Sequence, residues 1–126
     1  MKCNLAKMFL LRQNFINEMR DYHPNSYPET LPLDISQKES QQFCRDLALR
    51  GVEEMFEALQ HLKNWKPHRV TEFKEGPDKD EFLEEIVDAL NYFFSLLIVS
   101  GFNEEDLFNA YEKKHDVIMK RLKDGY

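Results

Sequence analysis

Two pairs of carboxylates, Glu54-x-x-Glu57 and Glu85-x-x-Asp88, are the side chains of this sequence best suited to chemistry. A spacing of three puts both members of a pair on one helix face about a turn apart, so two facing helices would gather all of them around one small volume. Oxygen donors in that number suit Mg²⁺ or Mn²⁺, hard ions that also keep water ligands. No Cys/His spacing competes for zinc. Two carboxylates about 4 Å apart repel by roughly 4 kcal/mol at an effective dielectric of about 20, so such a cluster needs a cation or basic side chains beside it. Around the second pair the chain supplies none. Glu81, Glu84, Glu85, Asp88, Asn91, Tyr92 and Ser95 make an acidic and hydrogen-bonding wedge, and no Lys or Arg occurs between Lys79 and Lys113. A solvated helix face normally mixes signs. Either pair alone would also suit a solvated face; two pairs, one in a wedge free of cations, point to a divalent metal.

Groups able to meet phosphate lie outside the wedge. Lys114 and Arg121 are seven residues apart and hence on one helix face, while Lys66, His68 and Arg69 sit between the two acidic pairs. Arg forks onto phosphate oxygens and Lys acts as a point charge, although each of these residues also reads as an ordinary surface cation. Trp65 could stack on a base or simply close a helix end. His61 and His115 read as polar-face residues and Tyr111 as core.

Four helices are expected to position these groups. Phe9, Leu10, Phe15, Ile16 and Met19 recur at helical spacing over about Leu5 to Arg20, with Gln13 and Asn17 one turn apart. Pro24, Pro28 and Pro32 then impose an extended connection. Ser36, with Glu39 three residues on, has the spacing of a capping box and opens a second helix to about Asn64. Its buried side would be Phe43, Leu47, Val52, Met55, Phe56, Leu59 and Leu62, with Gly51 allowing a close helix approach and Arg50, Glu54, Glu57 and His61 on another stripe. A loop through Gly76-Pro77 leads to a third helix, Asp80 to Ser100, capped by Asp78 or Asp80 and ended by Gly101. Leu83, Ile86, Val87, Leu90, Phe93, Phe94 and Leu97 give it a broad apolar side. Asn103 caps a fourth helix whose first turn, Glu104 to Asp106, suits the helix dipole. The reading is an all-α, four-helix bundle forming one domain over residues 1–126. Its third helix is more apolar than a lone bundle of this size covers, so a homodimer or homotetramer joined through helices is expected.

Composition bounds the function. A chain of 126 residues, 42% hydrophobic and 32% charged, suits one small globular domain. A net charge of −6 argues against general nucleic-acid binding, which needs a cationic surface. The apolar run in MKCNLAKMFLL turns polar at Arg12 and is too short for a membrane span; it also lacks a small-residue cleavage site. Cys3 and Cys44 make no disulfide framework. A cytoplasmic protein is expected, in the host cytoplasm if the source is viral.

The order Glu54-x-x-Glu57, Trp65-Lys66, Glu85-x-x-Asp88, Tyr111-x-x-Lys114 and Arg121, followed by Gly125-Tyr126, resembles the all-α nucleoside triphosphate pyrophosphatases. Within them it is most similar to the dimeric dUTPases and the phage dCTP/dUTP pyrophosphatases, and more distantly to MazG-like enzymes. The stretch Gln13-Asn14-Phe15-Ile16-Asn17 is similar to the family segment that touches the nucleoside. The resemblance implies Mg²⁺ on Glu54, Glu57, Glu85 and Asp88, and hydrolysis of a nucleoside triphosphate, dUTP or dCTP first, to monophosphate and pyrophosphate. It further implies phosphate contacts from Lys66, Arg69, Lys114 and Arg121, and base or sugar contacts from Gln13, Asn17, Trp65 and Asn91. Asn91, His115 and Ile118 depart from the dUTPase pattern, which touches base and sugar selection and leaves the metal ligands unchanged. A MazG-like enzyme of broad or purine preference, and a non-enzymatic helical module that dimerises and binds a partner through its acidic face, are the alternatives.

Overall fold

Local chemistry sets the helix boundaries in the computed structural model, which describes residues 4–125; Cys3 and Tyr126, noted above, lie outside them. Four α-helices, α1 (Asn4–Tyr22), α2 (Lys38–Leu59), α3 (Pro77–Val99) and α4 (Glu104–Asp124), and one 3₁₀ turn, Lys63–Trp65, make up the regular structure, with no strand among the described residues. Asn103 caps α4 as expected: its side chain accepts from the Asp106 N–H while Asp106 accepts from the Asn103 N–H, at 2.9 and 3.0 Å. Gly101, with φ of 91°, ends the α3 turn in the left-handed region.

Two expected starts differ. Ser36 does not cap α2, because its N–H and hydroxyl are both bound to Asp34 Oδ1 at 3.0 and 2.7 Å; the helix begins two residues later, after an uncapped Gln37. It also ends earlier than expected, at Leu59, and the chain tightens into the 3₁₀ turn. α3 begins at Pro77, whose fixed φ suits a first helical position. Asp78 stabilises that start from inside the helix by accepting from the Lys74 N–H at 2.6 Å.

Ile16 of α1, Tyr27 of the connection, Leu47 of α2 and Val99 of α3 form the core, with Met19, Leu31, Phe43 and Leu96 around them. The proline-rich connection is tied to the end of α3 by a bond from Leu33 N–H to Val99 O of 2.7 Å. α2 and α3 are the principal pair. They approach through small buried residues, Gly51, Ala58 and Ala89, and a Cβ at Gly51 would stand 2.9 Å from Phe93 Cζ. α1 rests on α3 through Phe9 and Phe94, whose ring centroids are 5.2 Å apart.

This packing reverses part of the expected burial. On α2, Phe43 and Leu47 face inward, but Val52, Met55, Phe56 and Leu59, and Leu62 just beyond the helix, are exposed. On α3, Leu83, Val87 and Leu90 are exposed, whereas Ser95 of the polar wedge is fully buried. Helix contact through small residues turns the acidic stripe of α2 towards α3 and leaves the apolar stripe outside. α4 contributes no buried residue and has α1 as its main helical neighbour, so Tyr111, expected in the core, is 72% exposed. Within one chain the packed core therefore comes from α1, α2, α3 and the connection. No helix of the described residues is long and apolar enough to cross a membrane.

Candidate metal centre

Because the Gly51–Phe93 approach sets α2 close on α3, the two acidic stripes meet. Glu54, Glu85 and Asp88 each place one carboxylate oxygen within 4.8 Å of the others; Glu54 and Glu85 are half-buried and Asp88 is exposed. The Glu54 carboxyl is held above the ordinary value of 4.5, first by desolvation, then by a hydrogen bond with Glu57, then by the charges of Glu57, Asp88 and Glu85. Glu57 thus stands beside the triad rather than within it. Three of the expected ligands converge, and the fourth lies about a turn along α2 from Glu54.

No Lys or Arg among the described residues forms an ion pair with any of the four. Arg50 turns to Asp46 at 3.0 Å, and Lys79 to Glu75 at 3.9 Å. His61, expected on a polar face, lies beside the group, with Nδ1 3.9 Å from Glu81 and Nε2 4.0 Å from Glu85. Its signal was its place on the stripe of Glu54 and Glu57, one turn beyond the latter.

An open cleft of about 530 Å³ adjoins the triad, lined by residues that include Glu57, His61, Asn64, Thr71, Phe73 and Glu85. Its far wall is pinned by Asn64, whose Nδ2 donates to Thr71 O at 2.8 Å while its Oδ1 accepts from Thr71 N–H at 2.6 Å. Glu72, Asp78 and Glu81 also line the cleft, against a single cationic side chain, Lys63. A polyanion would meet net repulsion there unless a metal ion neutralised it.

Farther along α3 the polar wedge is closed by the chain itself. Arg12 Nε donates to Ser95 Oγ at 2.6 Å, the Tyr27 hydroxyl donates to the same oxygen at 3.2 Å, and the guanidinium lies 4.1 Å from the Phe15 ring centroid. Desolvation lowers the Arg12 pKa, while the fields of Tyr27, Tyr92 and Asp88 oppose that shift. Sequence reasoning passed over Arg12, whose only signal was a lone cation beside Gln13.

The remaining candidates do not line the cleft beside the triad. Gln13 Nε2 donates to Asn17 Oδ1 at 3.2 Å, and Arg20 donates to that same oxygen at 3.2 Å. Gln13 and Asn17 line two separate depressions, neither of which includes Glu57 or Glu85. Asn91 is half-buried on α3, and Trp65 is 74% exposed with Lys66 Nζ 5.4 Å from its ring centroid. Lys66 and Arg69 belong to an exposed turn closed by Arg69 N–H to Lys66 O at 3.1 Å, and Lys114 and Arg121 are exposed on α4. Compared with protein-family models, curated proteins and solved structures, the chain matches none.

Proposed function

We propose that this chain hydrolyses nucleoside triphosphates with the help of a divalent metal, releasing monophosphate and pyrophosphate, with dUTP and dCTP as the first substrates to test. The observation that carries this reading is the approach of Glu54, Glu85 and Asp88 oxygens to within 4.8 Å with no Lys or Arg paired to them. The donors are all carboxylate oxygens, which fits Mg²⁺ or Mn²⁺. Glu54, Glu85 and Asp88 would hold the ion, which when bound supplies charge neutralisation at phosphate oxygens and a more acidic water. Glu57, which lines the cleft and is not one of the three converging carboxylates, is left to accept the proton from the attacking water. As the water oxygen bonds to phosphorus, the bond to the pyrophosphate oxygen breaks. Lys66, Arg69, Lys114 and Arg121 are the cations available to the departing phosphates, and Gln13, Asn17, Trp65 and Asn91 remain the base and sugar candidates by resemblance. The same reading expects a helix-mediated homodimer or homotetramer.

The test is a panel of canonical and modified nucleoside triphosphates with Mg²⁺ or Mn²⁺, phosphate and pyrophosphate being measured separately. Pyrophosphate release that EDTA abolishes is expected, and purine turnover would identify the MazG-like preference. Glu57→Gln and Asp88→Asn should each lower kcat by about 10²-fold or more with helicity retained. Absence of turnover across the panel, or full activity in both variants, refutes the proposal and leaves a helical interaction module.

A further inference from the structure

A second and much smaller space lies between α1, α2 and α3, walled by residues that include Arg12, Phe15, Tyr27, Arg50 and Tyr92. Arg50 stands one helical turn before Glu54 and Tyr92 one turn after Asp88, so this pocket adjoins the triad on the side away from the cleft lined by Glu57 and Glu85. The two spaces differ in sign. Five carboxylates and one lysine line the cleft, whereas two arginines and one carboxylate, Asp46, line the pocket. Size narrows what the pocket can take. Its volume of about 80 Å³ is roughly half that of the cavity of about 150 Å³ that admits a benzene ring, so a nucleobase does not fit. A group the size of two or three waters, at about 30 Å³ each, does.

Charge selects the class of that group. Asp46 is already committed, accepting from Arg50 at 3.0 Å, and Arg12 has no acidic partner among the described residues. Arg12 donates Nε–H to Ser95 Oγ at 2.6 Å and lies 4.1 Å from the Phe15 ring centroid and 5.8 Å from that of Tyr92. These contacts fix the guanidinium in place but leave its charge uncancelled. A half-buried cation is normally paired with an anion, and the four N–H groups on its terminal amino nitrogens suit the oxygens of a phosphoryl group. We propose that this pocket is an oxyanion site for one phosphoryl group, with Arg12 as its principal ligand and Arg50 beside it. None of Lys66, Arg69, Lys114 and Arg121, the phosphate contacts implied by resemblance, lines it. The phosphoryl group can belong to free phosphate or to a nucleotide, which present the same oxygens. Binding here requires neither a metal nor hydrolysis at the triad.

The Nε–H of Arg12, held on a fully buried hydroxyl, is a local reporter for nuclear magnetic resonance. Titrating the full chain with inorganic phosphate, in EDTA and a phosphate-free buffer, should shift that resonance and saturate it in the millimolar range. Deoxyuridine monophosphate and deoxyuridine make the other arms. Equal affinity for phosphate and the monophosphate identifies the free ion as the ligand; tighter binding of the monophosphate, with deoxyuridine silent, identifies a nucleotide. Either result supports the site. By calorimetry Arg12→Lys should bind phosphate about tenfold more weakly, because an ammonium replaces the fork with a point charge. Arg50→Gln, which leaves the Ser95 contacts intact, should weaken it by about threefold or more. Circular dichroism reports whether helicity is kept, and should Arg12→Lys lose it, Arg50→Gln decides. A resonance that neither phosphate nor the monophosphate moves, a response to deoxyuridine equal to that of the monophosphate, or phosphate affinity unchanged in the folded variants, meaning an adventitious ion only, would each overturn the proposal. None of these readouts uses turnover, so a failure here is distinct from a failure of the proposed hydrolysis.

Discussion

Ser95 carries a hydroxyl with no access to water, yet it costs little because both lone-pair directions are used: Arg12 Nε and the Tyr27 hydroxyl donate to it. Removing the acceptor strands two donors. Ser95→Ala should therefore lower unfolding free energy by about 1–3 kcal/mol in urea titration, and a loss below a few tenths would show that water replaces the hydroxyl. Glu54 presents the opposite case. Its folded-state pKa is raised by burial, the bond with Glu57 and the neighbouring carboxylates, so the native state binds more protons than the unfolded chain between 4.5 and that higher value. Stability of the metal-free protein then falls as pH rises through this window and is fully restored below it. Glu54→Gln should raise Tm in EDTA at neutral pH, the difference vanishing on acidification towards 4.5. The same substitution should weaken Mn²⁺ binding measured by electron paramagnetic resonance, since a ligand is lost.

At the scale of elements, much was legible because it is local. Three prolines defined the connection, Asn103 with Asp106 opened α4, and Gly101 closed α3. Both acidic pairs were recognised from a spacing that any helix imposes. Hydrophobic periodicity misplaced the buried side of α2 because it counts large apolar residues, whereas the α2–α3 contact is made by Gly51, Ala58 and Ala89, which weigh little on such a scale. Ser36 failed as a cap because Asp34 competed for it two residues earlier. The role of Arg12 depends on contacts 83 residues away in sequence, which no local pattern carries. Gly51 is the residue on which the site's geometry turns. Ala there would gain about 1 kcal/mol of helix propensity, but its methyl would need the Phe93 ring, now 2.9 Å from the added Cβ position, to move. Overpacking typically costs about 1–3 kcal/mol. Gly51→Ala is expected to be net destabilising by about 1 kcal/mol and to weaken Mn²⁺ binding by separating Glu54 from Glu85 and Asp88; unchanged stability and affinity would mean that Phe93 moves freely.

For the whole molecule, a core that is thin for 126 residues and an excess of exposed apolar surface are two aspects of one arrangement. Three helices and a connection bury Phe9, Ile16, Tyr27, Leu47 and Val99, while the outward stripes of α2, α3 and α4 remain in water unless another chain covers them. If folding and association are linked as proposed, the native state is stabilised by mass action, and Tm must rise with protein concentration. For two chains of this length unfolding together, a hundredfold increase in concentration should raise Tm by on the order of 5 °C. An Ile118→Asp, Leu122→Asp double variant should unfold at a lower, concentration-independent temperature, since each chain must then leave its apolar stripes exposed. Differential scanning calorimetry at two concentrations in EDTA decides the matter without involving the metal. A wild-type Tm that does not move would mean that the exposed stripes are tolerated by a monomer, and that α4 projects from a fold already complete in itself.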